Sequence, residues 1–315
     1  MVSEEVKYKT MKIAIIQERP IFYDLEKCLA KAILLIEKAA LKGANLIVFG
    51  ETWLSGYPAF LDYCPNIGVW DSKPMKKIFS RIYRNSVKVG SKTTEVLAAL
   101  AKKHDVVIVI GVNEITENSQ GTIYNTILTF NEKGELANHH RKLMPTFTEK
   151  LIHGIGDGNG LRSVETNFGK LGSLICWEHW MPLTRQAMHV QGEIIHIALW
   201  PSVMEMHQLA SRHYAFEGRC FVVAVGQMMK VKDIPKTLKT PKKLRKQKWL
   251  LRGGSSVIAP NGDYILKPQY DKSGIFMVEL ENLNQVYEER MALDVTGHYN
   301  RSDVFNFQIN TQRFK

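Results

Sequence analysis

Three reactive side chains each follow a short strand-like run: Cys176 after "LGSLI", Glu51 after "ANLIVFG", and Lys142 after "GELANHH" and Arg141, before the apolar Leu143, Met144 and Pro145. Singly, each has an ordinary reading. A cysteine after an apolar run is most often a small buried hydrophobe, a glutamate there is a loop residue or the acid of a helix start, and a lysine is a solvated cation. Together they are a nucleophile, a base and a cation. A thiol with a pKa of about 8.5 is only slightly ionised at neutral pH, so a reacting cysteine wants a base or a positive field beside it. Glu51 is the candidate base, and Lys142 the candidate cation for an anion or for negative charge growing on a substrate nitrogen. Glu149, seven residues after Lys142, is near enough to turn back to the same place. His179 and His140 lie close by in sequence, so a Cys–His pair stays open.

These groups can meet only if separate strands deliver them, because in α/β proteins the loops after strand C-terminal ends converge on a crevice. The periodicity predicts that arrangement. "MKIAIIQ" (11–17) reads as a strand, 24–43 as an amphipathic helix with Asp24 as N-cap and Gly43 as its stop, and 44–51 as a buried strand. A helix over 93–104 precedes a strand over 105–111, and "TIYNTILTF" and "GELANHH" flank "NEKG" as a hairpin. "LGSLIC", a helix from about Leu183, the strand "EIIHIALW", the helix "EMHQLASRHYAFEGR" and the strand "CFVVAVG" follow. "SSVIAP" and "DYILKP" bracket "NG", a strong hairpin signal, before a last strand, "GIFMVEL". Strands interleaved with helices and then hairpins imply an α/β layered protein with mixed sheets.

Composition narrows the class. The chain has 315 residues, 45% hydrophobic and 23% charged, as expected of a globular protein with a sizeable core. The opening "MVSEEVKYKT" has no apolar core, and no apolar run approaches the roughly 20 residues of a membrane span, so a cytoplasmic protein is expected. The four cysteines, Cys28, Cys64, Cys176 and Cys220, are widely spaced without a C-x-x-C pair, which predicts free thiols and no structural zinc. The formal charge is +11, and the segment 230–252 carries ten Lys or Arg against Asp233, leaving only +2 elsewhere. Basicity confined to one segment reads as a surface insertion, and no basic-aromatic stripe or helix-turn-helix predicts nucleic-acid recognition. "GIGDGNG" lacks the lysine and the preceding strand of a phosphate loop and reads as an ordinary loop.

Several stretches carry a resemblance: "FGETWLSGYP" around Glu51, "HRKLMPTFTEKLIHGIGDG" around Lys142 and Glu149, "GSLICWEHWMPLTRQAM" around Cys176, then "ALWPS", "SRHYAFEGRCFV", "LLRGGSSVIAPNG" and "DVTGHYNRSDVF". From about Lys12 to Phe305 the chain resembles the nitrilases of the carbon-nitrogen hydrolase superfamily, and "CWE" with "GYP" is similar to the nitrile-cleaving branch. The resemblance implies a four-layer αββα sandwich with two mixed sheets. It also implies one pocket where Glu51, Lys142 and Cys176 meet with Glu149 beside the lysine, no cofactor or metal, and a homo-oligomer, a dimer or a helical filament of dimers.

The function expected from this is hydrolysis of an organic nitrile to acid and ammonia through a covalent cysteine thioimidate and thioester. Amide or N-carbamoyl hydrolysis, or cyanide degradation, are alternatives with the same residues, and a basic nucleic-acid-binding or scaffold protein is the non-enzymatic one. Tyr57, Phe60, His153, Trp177, Trp200 and Met204 are near the motifs and are candidates to line an apolar pocket, though core packing accounts for each of them singly. The expected organisation is a single domain over 1–315 with a basic insertion at 230–252 and a tail at 291–315.

Overall fold

The computed structural model describes residues 10–314; most of the "MVSEEVKYKT" opening lies outside them. Alternation of apolar strands and amphipathic helices produces two mixed sheets. The strands are β1 (Met11–Gln17), β2 (Leu46–Phe49), β3 (Val87–Lys88), β4 (Val107–Ile115), β5 (Tyr124–Phe130), β6 (Leu136–Arg141), β7 (Val164–Thr166), β8 (Gly169–Ile175), β9 (Ile195–Trp200), β10 (Phe221–Gly226), β11 (Met228–Lys230), β12 (Trp249–Ile258), β13 (Tyr264–Tyr270) and β14 (Gly274–Leu280). The helices are α1 (Leu25–Leu41), α2 (Lys73–Arg84), α3 (Lys92–His104), α4 (Pro182–His189), α5 (Glu205–Gly218), α6 (Lys242–Arg245) and α7 (Gln285–Arg290).

One sheet runs β14-β1-β2-β4-β5-β6, with β3 also on β4; the other runs β11-β12-β10-β9-β8-β7, with β13 on β12. Within them β1, β2 and β4 are parallel, as are β8, β9 and β10, and the hairpin strands are antiparallel. Alternation of side chains across each strand sorts the core into layers. Ala14, Ile16, Ile47, Phe49, Ile108 and Ile110 pack under α1 and α3. Ile13, Ile15, Val48 and Val109 take the other face, in one cluster with the second sheet. On that sheet, His196 of β9 stacks on Tyr214 of α5, so the alternate residues Ile195, Ile197 and Leu199 face the first sheet. The result is four layers, α1/α3, sheet, sheet, α4/α5.

Most elements follow the sequence pattern. Asp24 caps α1, its carboxylate accepting from the Lys27 N–H, and both expected hairpins form, β5/β6 and β12/β13. Residues 73–84, where no element is expected from the sequence, form α2. That helix buries only Met75, Ile78 and Ile82 and turns a row of Lys and Arg to solvent, so its apolar stripe is narrow. The basic segment is also more structured than its charge suggests. Val231, Ile234, Leu244, Leu250 and Leu251 are buried in a satellite core with Tyr57 and Phe60, while nine of its ten cationic side chains are exposed and Lys230 is half-buried.

Candidate functional site

The runs that precede the reactive residues are β2, β6 and β8, and their C-terminal ends meet. Glu51 lies two residues past β2, in a turn that rests on β4. Gly111 makes that contact possible, because a Cβ there would strike Gly50 O and Thr52 N and come within 2.8 Å of Glu51 Cα. Lys142 follows β6 directly, its N–H donating to Asn125 O at 2.8 Å. Glu149 sits in a short 3-10 turn, Phe147–Leu151, whose start it caps by accepting from the Thr146 N–H at 2.9 Å. Cys176 follows β8 directly, at a sharp elbow with φ of 54°. Thr52 (φ 44°) and Phe147 (φ 45°) share the left-handed region, which β-branched and bulky residues seldom adopt, so all three turns around the site carry backbone strain.

The charges interlock. Lys142 Nζ donates to Glu149 Oε1 at 2.9 Å and Oε2 at 2.7 Å, and to Glu51 Oε1 at 3.2 Å. Asn125 Nδ2 donates to Glu51 Oε1 at 2.7 Å, and the Tyr57 hydroxyl donates to Glu149 Oε1 at 2.6 Å. Glu51 Oε2 has no hydrogen-bond partner among the described residues. The Cys176 sulfur and an oxygen of each carboxylate all lie within 4.8 Å of one another, and the Trp177 backbone N–H beside the sulfur favours its thiolate.

Burial sets the protonation states. It pushes Glu51 up to about 7, with Glu149 adding to the rise and Lys142 opposing it. Glu149 is also buried, but Lys142 outweighs that and holds it below the usual carboxylate range. Burial pulls Lys142 down, yet the negative partners around it win and keep it an ammonium. The Cys176 thiol is pushed well up, by burial first and Glu51 second. The resting site is therefore a thiol beside a carboxylate that titrates near neutrality, with a fixed ammonium next to both. Thiol and carboxylates are close enough to be metal ligands, but the Lys142 ammonium fills the space between the carboxylates, and a dication would have to displace it.

Neither nearby histidine pairs with the sulfur. His179 Nδ1 lies 2.7 Å from the backbone carbonyl of Cys176, and His140 Nε2 lies 2.9 Å from Glu178 Oε2. Glu178, known from the sequence only as the last residue of "CWE", has a structural role there. It accepts from the Ile175 N–H at 2.7 Å and the Leu143 N–H at 2.8 Å, tying the cysteine elbow to the lysine loop. Its signal is the acid two residues after Cys176, which by itself reads as the acid of a helix start.

A cleft of about 790 Å³ opens over Cys176, walled by Tyr57, Met144, Trp177, Trp180 and Met204. Of the six residues considered for the pocket, Tyr57, Trp177 and Met204 line this cleft. Phe60 is fully buried in the satellite core, and Trp200 is fully buried behind the elbow, stacked on His179 at 4.8 Å. His153 lies beneath Glu149, its Nε2 2.9 Å from Asn113 Oδ1, and burial pulls its pKa down to about 4.

Known proteins of similar sequence and fold agree with this architecture. Residues 12–288 match the family described as carbon-nitrogen hydrolase. The chain is 34% identical over 312 residues to the bifunctional nitrilase/nitrile hydratase NIT4A of Lupinus angustifolius, covering 98% of this chain and 88% of that one. It is 35% identical to the aliphatic nitrilase of Sinorhizobium fredii, covering 96% of both. In fold it is similar to a carbon-nitrogen hydrolase from Helicobacter pylori G27, with a TM-score of 0.72, 21% identity and coverage of 94% of this chain and 97% of that one. The chain belongs to the carbon-nitrogen hydrolase family, enzymes that hydrolyse carbon–nitrogen bonds other than peptide bonds.

Proposed function

We propose that the protein is a nitrilase, converting an organic nitrile and two waters to a carboxylic acid and ammonia with Cys176 as nucleophile. One observation carries this reading: a thiol that lines an apolar cleft meets a buried titratable carboxylate and a buried fixed ammonium. A nitrile carbon is uncharged and weakly electrophilic, so a polarisable sulfur suits it. Glu51 takes the Cys176 proton as the sulfur adds to carbon, and the proton passes to nitrogen, giving a thioimidate. Glu51 then activates a water that adds to the thioimidate carbon, its two protons pass to nitrogen as the C–N bond breaks and ammonia leaves, and a thioester remains for a second water to cleave. Lys142 and the Trp177 N–H face the negative charge of the tetrahedral states, and Glu149 with Tyr57 holds the ammonium in place. No cofactor enters this scheme.

The aromatic and methionine walls favour nitriles with an apolar body, aryl or arylaliphatic, over hydrogen cyanide. Some relatives are named bifunctional nitrilase/nitrile hydratase, so amide is the by-product to measure beside acid. The test is release of ammonia, acid and amide from hydrogen cyanide and from aliphatic, aromatic and arylacetonitriles, with their amides, by wild type and Cys176→Ala. Cysteine-dependent conversion of nitriles to acids supports the reading; turnover of amides alone moves the protein to amidase chemistry.

The same reading takes 1–315 as one domain with a basic surface segment at 230–252 and a tail at 291–315, acting in the cytoplasm. No described helix is long and apolar enough to cross a membrane. Exposed Leu183, Val190, Met206, Leu209 and Phe216 on and around α4 and α5 support a homo-oligomer that covers them, a dimer or a filament of dimers.

A further inference from the structure

Behind the cysteine elbow, on the side away from the cleft, lies a buried polar chain. His179 Nδ1 is 2.7 Å from the Cys176 carbonyl, His179 Nε2 is 3.0 Å from His196 Nε2, and His196 Nδ1 is 2.8 Å from Glu193 Oε2. All three side chains are buried, and none lines the cleft.

The hydrogens of this chain can be counted from its two ends. The carbonyl only accepts, so His179 Nδ1 must carry a hydrogen. Glu193 accepts as a carboxylate, so His196 Nδ1 must carry one as well. Two neutral rings would then face each other with bare Nε2 lone pairs at 3.0 Å. The contact becomes a hydrogen bond only if one more proton sits between them, making one ring an imidazolium. Its place is His196, against the Glu193 carboxylate. Burial raises Glu193, but His196 and His189 outweigh that and hold it down at about 2, whereas burial and the charge on His196 push His179 well below its usual value.

The surroundings fit a built ion pair. Gly172 on β8 leaves the space Glu193 occupies, since a Cβ there would run into its Oε2. The Tyr214 hydroxyl donates to Glu193 Oε1, and its ring stacks on His196 at 3.8 Å. His189 Nδ1 of α4 stands 3.6 Å from Glu193 Oε1, and Arg290 of α7 donates to the Glu193 carbonyl at 3.0 Å. Arg185 donates to the His179 carbonyl at 3.1 Å and pairs with Glu217, which also faces His189.

We propose that His179, His196 and Glu193 are positioning residues: one shared proton in this relay fixes the Cys176–Trp177 peptide and thereby aims the Trp177 N–H at the reacting sulfur. Carbonyl and N–H are opposite ends of one planar peptide, so anchoring the carbonyl from behind points the N–H forward. The proposal rests on the reading of Cys176 as nucleophile.

Two experiments test it. In 15N spectra of histidine-labelled wild-type protein at neutral pH, His196 is expected as an imidazolium and His179 as the neutral Nδ1–H tautomer, and Glu193→Gln is expected to abolish the imidazolium signal. Both rings neutral in the wild type would overturn the relay, whatever the substrate proves to be. In kinetics with the best nitrile, His179→Phe is expected to lower kcat about tenfold or more with KM within about twofold, and His179→Asn, whose amide can donate to the same carbonyl, to recover most of it. Equal kcat for the Phe and Asn variants would remove the carbonyl anchor from the account, and the spectra test the relay even if His179→Phe fails to fold.

Discussion

Arg141 and Lys142 are consecutive, both are buried, and each faces a buried glutamate, yet the two pairs serve different ends. Arg141 donates to Glu114 through Nε and Nη2, at 3.0 Å and 2.5 Å, while His139 Nε2 at 2.8 Å and the Thr126 hydroxyl at 2.7 Å meet the same carboxylate. Burial raises Glu114, but these partners overcome it and hold the acid at about 2. Glu51 has the same chemistry, but one of its oxygens has no partner among the described residues, and burial with the neighbouring Glu149 charge raises it to about 7. A saturated carboxylate is a strut, whereas a half-saturated one beside a thiol can exchange a proton at neutral pH. The difference lies in the count of donors and in the Glu149 charge beside Glu51, and adjacent side chains on a strand end point to opposite faces to supply it.

The largest effect expected from this contrast is at Glu51. Glu51→Gln should lower kcat/KM about 10³-fold while leaving thermal stability near wild type. Because the base must be ionised to act, wild-type kcat/KM should fall about tenfold per unit below about pH 7, and that acid limb should vanish in the residual activity of Glu51→Gln. Steady-state rates across pH check both.

Next comes Lys142→Ala, expected to cost about 10²-fold to 10³-fold in kcat, with the loss in kcat rather than KM, since the ammonium faces charge that develops only during reaction. Glu114→Gln is the mirror image. It should destabilise the protein by about 3 kcal/mol by leaving Arg141 buried without its counter-charge, as urea unfolding would measure. Its pH dependence has a definite sign: a depressed folded pKa gives stability that is present above the ordinary carboxylate value and lost as pH falls toward about 2. The variant should therefore lose part of the wild type's acid-dependent destabilisation. The smallest effect is Tyr57→Phe, which removes one hydrogen bond to Glu149 and should slow kcat by about tenfold or less.

Much of the frame was legible because local signals and tertiary structure agree. Asp24 caps α1, the NG turn joins β12 to β13, and the runs before Glu51, Lys142 and Cys176 are strands whose ends meet. What was not legible depends on partners far apart in the chain. Nothing near Glu178 announces that it will bind the N–H of Leu143, 35 positions away. His179 suggests a partner for the cysteine thiol, but the sharp turn at Cys176 gives it the backbone carbonyl. Phe60 and Trp200 have the composition of pocket walls, and only the layer in which each is buried separates packing from lining.

The central claim is that a nitrile is cleaved through a covalent bond to Cys176. Acid-quenched protein taken during turnover of the best nitrile, analysed by intact and peptide mass spectrometry, tests it directly. The account predicts an acyl or imidoyl adduct on the peptide carrying Cys176 in the wild type, and neither adduct nor turnover in Cys176→Ala. Nitrile hydrolysis persisting in Cys176→Ala would contradict it.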